Sequence, residues 1–247
     1  MSRMENFYNL AAGFYDEMIN FADLAGKRSL QLKKIINSGV KTAFDIGCGT
    51  GVDSIALAKL GLEVSAFDPS EEMIKKAKIN AEKHSLKISF YNEGINGIAK
   101  HQYKKADLII SLGNTFANIE PGELDCGIRN MFEHLNENGM AVIQMLNYEN
   151  PEYEGSSIIN INETSGELTV RINTKDNSNL SFHIIRINKS NKSESTIISN
   201  KMYPHKSAWL TEEFKTAGFK KINLFGDLDK NEFLQSSSKN LVLIAEK

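Results

Sequence analysis

Cysteine is scarce in this chain. Cys48 and Cys126 are the only two in 247 residues, and neither has a CxxC or HxxxH neighbour, which argues against a disulfide scaffold and against a structural zinc site or other metal centre. A basic excess is also missing. Lys and Arg number 29 against 31 Asp and Glu, for a formal charge of −2, so the electrostatic footprint of a nucleic-acid binder is not there. No apolar run approaches the length of a membrane span, and the opening MSRMENFYNL has no apolar segment of the secretory type. The expectation is a soluble cytoplasmic protein without membrane or nucleic-acid partners. Proline is limited to four residues, and no repeat, low-complexity tract or Pro/Gly linker divides the chain. At 41% hydrophobic and 24% charged, residues 1–247 read as one domain with one sizeable core.

What is present is an alternation of strands and helices. Residues 2–36 read mostly helical, with Leu24, Leu30, Leu32 and Ile35 as apolar positions. The aromatic group Phe7, Tyr8, Phe14, Tyr15 and Phe21 is heavier than a surface helix needs. It fits either simple packing on the main domain or a helical flap (1–36) over a pocket. From residue 41 onward, strands are expected at 42–46, 62–67, 86–91, 106–112 and 139–146. Helices are expected at 51–60, from Ser70, and from Pro121, where Leu124, Ile128, Met131 and Leu135 recur at spacings of three and four. A last helix at 210–217 stops at Gly218 and precedes strands at 219–224 and 240–245. This order predicts an α/β fold with a doubly wound, mostly parallel seven-stranded sheet covered on both faces. Residues 156–203 break the rhythm. They alternate through Leu168, Val170 and Ile172, then Leu180, Phe182, Ile184 and Ile187, with Asn- and Ser-rich turns. This predicts an antiparallel hairpin layer inserted between the fifth and sixth main strands, leaving the sheet at the edge where ligands of such folds bind.

The sharpest local signal is Phe44-Asp45-Ile46-Gly47-Cys48-Gly49-Thr50-Gly51, a glycine turn after a predicted strand and before a predicted helix. Such a turn admits a ligand close to the backbone, and the helix behind it offers free N–H groups to an anion. Val52 and Asp53 follow where a phosphate-binding loop needs Lys and Ser or Thr, which removes nucleoside triphosphates. The spacing GxGxG also departs from the GxGxxG of dinucleotide folds. S-adenosylmethionine remains: Asp45 or the loop carbonyls can take its ammonium, and the loop N–H groups its carboxylate. Asp68, at the end of the second strand, can accept from both ribose hydroxyls or cap the helix at Ser70. Ribose is the preferred reading. Cys48 is read as a small side chain in the turn, since nothing nearby activates a thiolate.

The stretch DIGCGTGVDSIALAKLGLEVSAFDPSEEM resembles the cofactor half of class I S-adenosylmethionine-dependent methyltransferases, and is especially similar to the glycine and sarcosine N-methyltransferase branch. Three more segments carry that likeness. ADLIISLGNTFAN at 106–118 resembles the branch's Leu-Gly-Asn-Ser-Phe-Ala-His motif, with Asn118 in place of its histidine. Asn147-Tyr148 resembles its Arg-Asn-Tyr, and Tyr203-Pro204-His205 its Tyr-Pro-His. The likeness runs from about residue 41 to the end, and is loose before that. It implies that Gly47, Cys48, Gly49 and Gly51 surround the methionine moiety and Asp68 the ribose. It places Met73 on the adenine, with Glu93, Gly94 and Ile95 along its edge. Leu112 and Asn114 would face the sulfonium and the acceptor, Tyr203 would reach in from the insertion, and Tyr15 from the N-terminal flap. Asn114 and Tyr203 are thereby the implied catalytic pair, orienting an amine.

The branch's arginine before Asn-Tyr, which pairs the substrate carboxylate, is Leu146 here. Either another cation replaces it, with Arg171 and Arg186 as the candidates, or the acceptor has no carboxylate at that place; the second is preferred. An oxygen acceptor would need a base, for which His205 is the nearest candidate, though a backbone-bonded role at the start of the helix is the preferred reading. His84, His101, His134 and His183 stand without ligand or base partners, and the lysine-rich stretch 100–105 reads as a solvated loop. The sequence thus points to a small-molecule methyltransferase, on nitrogen before oxygen or an amino sugar, with a non-catalytic cofactor-binding protein as the remaining alternative. It leaves self-association open.

Overall fold

The structure is a computed structural model that describes residues 2–101, 105–176 and 179–247, apart from the side chain of Lys192. Three helices lead: α1 (Arg3–Ala11), α2 (Tyr15–Ile19) and α3 (Phe21–Ile35). The main body follows as β1 (Thr42–Ile46), α4 (Val52–Lys59), β2 (Glu63–Phe67), α5 (Glu71–Lys83), β3 (Ser89–Tyr91), β4 (Ala106–Ser111), α6 (Pro121–His134) and β5 (Leu135–Leu146). Next come β6 (Ser157–Glu163), β7 (Glu167–Asp176), β8 (Asn179–Asn188) and β9 (Thr196–Met202), then α7 (Ser207–Ala217), β10 (Lys220–Phe225) and β11 (Asn240–Glu246).

The seven-stranded sheet has the order β10-β11-β5-β4-β1-β2-β3. Strands β1 to β5 pair in parallel, and β11 is antiparallel to both β5 and β10. The fold is therefore the doubly wound, mostly parallel one that the alternation predicts. The reversal at β11 has a local cause: no helix lies between β10 and β11, and a parallel neighbour would need a crossover. Strand pleating sends neighbouring residues to opposite faces. Ile109, Ala141 and Ile143 pack with Leu124, Ile128 and Phe214 of α6 and α7. Leu108, Ile110 and Val142 pack with Leu32, Ile35, Ala56 and Leu57 of α3 and α4. Burial on both faces explains why β4 and β5 read as continuous apolar runs.

The insertion is larger than a hairpin. β7 and β8 form the expected pair, with Leu168 opposite Ile187 and Ile172 opposite His183, and β6 and β9 extend it to a four-stranded antiparallel sheet. Both added strands are edges. Exposed Ile158 (62%), Ile161 and Ile197 blur the alternation that marks a half-buried strand.

The N-terminal stretch is broken in two places, at Gly13-Phe14 and at Asn20, which holds a left-handed φ of 52°. Helix α1 packs against α5 and β9, and Phe7, Ala11 and Met18 form a cluster with Met73 of α5 and Ile184 of β8. Leu30, expected as an apolar packing position, is 68% exposed. Of the lysine-rich stretch 100–105, residues 102–104 lie outside the described residues; Lys100 stands 3.4 Å from Glu93. Among the described residues no helix is long and apolar enough to cross a membrane.

Candidate functional site

A cavity of about 720 Å³ opens where β1, β2 and β4 end, between the glycine loop, the N-terminal helices and Arg171 of β7. This is the carboxyl edge of a doubly wound sheet, the place where such folds take ligands. The loop is tied to β2 by two bonds, the N–H groups of Gly47 and Cys48 donating to the Phe67 carbonyl at 2.8 and 3.0 Å.

The three loop glycines serve three different purposes. Gly47 has a φ of +74°, and a Cβ there would lie 2.3 Å from Cγ2 of Thr115, so it lets the turn Thr115–Asn118 close over the loop. Gly51, at +91°, faces Ala77 of α5 at 3.3 Å and serves the contact between α4 and α5. Gly49 is different. At +53° its Cβ position is open, with the nearest atom, Cε1 of Tyr15, 4.0 Å away. Beside it, the buried Oγ1 of Thr50 has no partner in the protein.

Asp68 stands across from Gly49 at the end of β2 and is 8% exposed. Its Oδ2 accepts the Gly49 N–H at 2.9 Å and its Oδ1 the Ser70 N–H at 2.8 Å. Burial lifts its pKa to about 6 against these two bonds. Each oxygen keeps a lone pair for a further donor. The helix-cap role falls instead to Ser70, whose Oγ accepts the Met73 N–H at 3.2 Å.

Asp45 does not line the cavity. It is buried under the loop, where the Ser54 hydroxyl donates to its Oδ2 at 2.5 Å, and burial together with the charge of Asp53 pushes its pKa well up. Asp53 does line the cavity. Its Oδ1 lies 2.9 Å from Nε of Arg28 as an ion pair, without hydrogen-bond alignment. Arg28, also on the wall, reaches Oε1 of Gln144 at 3.4 Å.

The opposite wall is aromatic. Tyr8 donates to Oδ1 of Asn118 at 3.1 Å, and Asn200 donates to the same oxygen at 2.9 Å. Tyr15 lines the cavity, its pKa pushed up by burial to about 12. Cys48, Leu112, Glu93, Gly94 and Ile95 also line it. Burial raises the Cys48 thiol and so works against a thiolate there. Glu93 is held by His101, whose Nε2 lies 3.1 Å from its Oε2.

Met73, Gly51, Asn114 and Tyr203 do not line the cavity. Met73 is buried in the cluster beneath α1. Asn114 has a left-handed φ of 73° and spans the ends of β4 and β5. Its Nδ2 donates to the Tyr148 hydroxyl at 2.8 Å, and its Oδ1 accepts the Leu146 N–H at 2.9 Å. Tyr203 donates its N–H to the Ala117 carbonyl at 2.7 Å, and burial and the charges of Glu120 and Glu123 raise its phenol pKa. His205 has Nε2 within 3.1 Å of the Phe116 carbonyl and 2.9 Å of the Ile119 carbonyl. Two carbonyl partners fix that nitrogen as a donor, and burial lowers its pKa.

Arg28, Thr50, Asp53 and Tyr8 were not legible as site residues from the sequence. Thr50 and Asp53 lie within the motif, but only the fold shows which loop atoms lack partners. Arg28 and Tyr8 sit on helices whose periodicity reveals an apolar face and not the direction in which the polar face points.

Comparisons with known proteins give the family and the fold. A family described as "Methyltransferase domain" matches residues 37–203. Glycine/sarcosine N-methyltransferase of Aphanothece halophytica is 27% identical over 137 residues, which is 55% of this chain and 52% of that protein. Glycine N-methyltransferase of Rattus norvegicus is 30% identical over 123 residues, 45% of this chain and 42% of that one. The chain thus spans about half the length of the curated relatives it matches. Among solved structures, an S-adenosylmethionine-dependent methyltransferase from Clostridium acetobutylicum ATCC 824 superimposes with a TM-score of 0.78 at 18% identity, over 97% of this chain and 98% of that one. The matched segment holds the glycine loop, Asp68 and more than half of the chain: the protein belongs to the methyltransferase domain family.

Proposed function

We propose that the protein is an S-adenosylmethionine-dependent methyltransferase acting on the nitrogen of a small amine. The observation that carries this reading is the open place above Gly49, bounded by Asp68, by the partnerless Thr50 hydroxyl and by Arg28. A Cβ at Gly49 would fill it, so the cradle fits a ligand that lies directly on the backbone. Its donor set suits an α-amino acid joined to a nucleoside. Arg28 serves the carboxylate, Thr50 is a further polar partner, and Asp68 accepts from the ribose hydroxyls. Glu93, Gly94 and Ile95 flank the base. Asp45 supports this set from beneath by holding the start of α4 through Ser54.

The cofactor supplies a methyl group already activated by the sulfonium charge. The task left to the chain is alignment, for which a well-fixed geometry is worth on the order of 7–11 kcal/mol. Tyr15 and Leu112 shape the space beside the loop, and the Tyr15 ring face and phenol oxygen favour a cationic group. Asn114 acts through its neighbours. By bonding Tyr148 and Leu146 it fixes the ends of β4 and β5 against each other, so it is a positioning residue. Tyr203 has the same character, because its N–H pins the Ala117 turn that carries Thr115 and Asn118. The amine arrives unprotonated and gives up its proton to water after transfer.

An oxygen acceptor would need a base. His205, the residue the sequence offers, spends its Nε2 on two backbone carbonyls, which favours nitrogen. Within the single unit 1–247 the helices of 1–36 act as a flap over the cofactor, and the layer at 156–203 forms the acceptor-side wall. Calorimetric titration with S-adenosylmethionine, S-adenosylhomocysteine and NADH tests the cofactor assignment. One-to-one binding of the first two and none of the third is expected; binding of NADH alone would sink the reading.

A further inference from the structure

Three of the five arginines come with carboxylates. Arg28 stands against Asp53, Arg129 against Asp125 and Arg186 against Glu167. Neither Arg3, which is exposed, nor Arg171 has an ion pair among the described residues, and of these two only Arg171 lines the cavity. It reaches from β7 into the cavity wall and is half-buried. Its one side-chain contact of note is a long bond from Nε to Oδ1 of Asn160 at 3.3 Å, and no carboxylate among the described residues stands within ion-pair distance of it. The neighbouring ionisable group is Tyr15, which burial keeps neutral at physiological pH. A partly desolvated guanidinium without an anion is costly to keep, and its two terminal nitrogens form a fork that matches a planar or tetrahedral oxyanion. Arg186, the other cation that the sequence offers in the insertion, is committed to Glu167 and lies 4.1 Å over the Phe14 ring.

We infer that Arg171 is the anion clamp of the acceptor subsite, so that the methyl acceptor is an amine bearing one oxyanion group. This rests on the methyltransferase reading above. Besides the exposed Lys100, which pairs with Glu93, the cavity is lined by two cations on different walls. Arg28 belongs to the glycine-loop wall, and so serves the cofactor's own carboxylate. Arg171 comes from the second sheet, with Tyr15 as its neighbour. Of the two readings that Leu146 leaves open, this takes the one in which a different cation replaces the missing arginine, and it moves that cation from the end of β5 to the inserted layer.

The test is calorimetric titration of the protein saturated with S-adenosylhomocysteine, using glycine, β-alanine, taurine and phosphoethanolamine as anionic amines and ethanolamine as the neutral control. At least one anionic amine should bind the wild type, with ethanolamine at least about tenfold weaker; which one binds tells carboxylate from sulfonate and phosphate. Arg171→Gln should weaken that amine by about tenfold or more, Arg171→Lys should fall between, and the affinity for S-adenosylhomocysteine should stay within about twofold in both. The unchanged cofactor affinity doubles as the check that both variants fold. Equal binding of ethanolamine, binding of none of the four anionic amines, or a variant that loses S-adenosylhomocysteine and keeps the amine would each overturn the assignment. Failure of the wild type to bind S-adenosylhomocysteine would be a separate result, contradicting the underlying methyltransferase reading itself.

Discussion

The backbone N–H of Gly49 donates to the carboxylate of Asp68 across 2.9 Å, so the two ligand-facing elements of the cavity hold each other in place before any ligand arrives. Asp68→Ala removes that tie and, on the proposed reading, the acceptor for two ribose hydroxyls. At about 1.5–3 kcal/mol for a hydrogen bond to a charged group, the affinity for S-adenosylmethionine should fall by about a hundredfold or more, measured by calorimetry.

The same carboxylate sets a pH dependence. In the proposed complex the ribose hydroxyls donate to the ionised form, so binding should favour ionised Asp68. Its pKa in the free protein is about 6; affinity should therefore be full above that value and decline as pH falls through it. In Asp68→Asn the binding curve should be weak and flat over the same range. An unchanged slope in that variant would assign the titration to another group.

The three loop glycines separate by experiment. Gly47→Ala drives a Cβ into Thr115 and should destabilise the fold by about 1–3 kcal/mol in thermal or urea unfolding. Adding Thr115→Ala should restore part of that loss. Gly49→Ala meets open space and should cost only about 1–2 kcal/mol for its left-handed backbone, yet it should abolish cofactor binding. If Gly49→Ala binds normally, the ligand does not lie on the loop.

Asp45 offers a stability test that involves no ligand. Its native pKa is raised above the unfolded value by burial and by Asp53. Its contribution is therefore present below the unfolded pKa of about 3.9 and lost as pH rises through the native value. Asp45→Asn should raise the melting temperature at pH 8 more than at pH 5. A gain of the same size at both would show that Asp45 is ionised throughout.

Phe7 tests the proposed flap. It is buried against Tyr8 and Phe182, with ring centroids 5.0 and 5.7 Å away, and belongs to the cluster that fixes α1 over the cavity. Phe7→Ala should loosen α1 and speed dissociation of S-adenosylmethionine in stopped-flow traces while leaving association unslowed. Equal slowing of association would point to a collapsed cavity instead.

These tests also mark where the sequence was informative. The glycine turn and Asp68 were legible because their chemistry is local: a strand end, a turn needing positive φ and a carboxylate at the next strand end are all written in consecutive residues. The parallel order of β1 to β5 followed from apolar runs alternating with helical spacing. Arg28, Tyr8 and the lack of an ion pair at Arg171 depend on how α1, α3 and β7 are brought over the sheet, which no spacing records. Asn114 stood out in a motif, yet its amide is spent on Tyr148 and Leu146 outside the cavity lining. Edge strands β6 and β9 escaped notice because exposed isoleucines erased their alternation.

The central claim is methyl transfer from S-adenosylmethionine to an amine, and the most direct test is S-adenosylhomocysteine release from methyl-labelled cofactor, with glycine, sarcosine and the other amines above as acceptors. The account predicts release that depends on an acceptor, with the label on nitrogen in the product by mass spectrometry. Label on oxygen, or a protein that binds the cofactor and transfers to none of these amines, would contradict it.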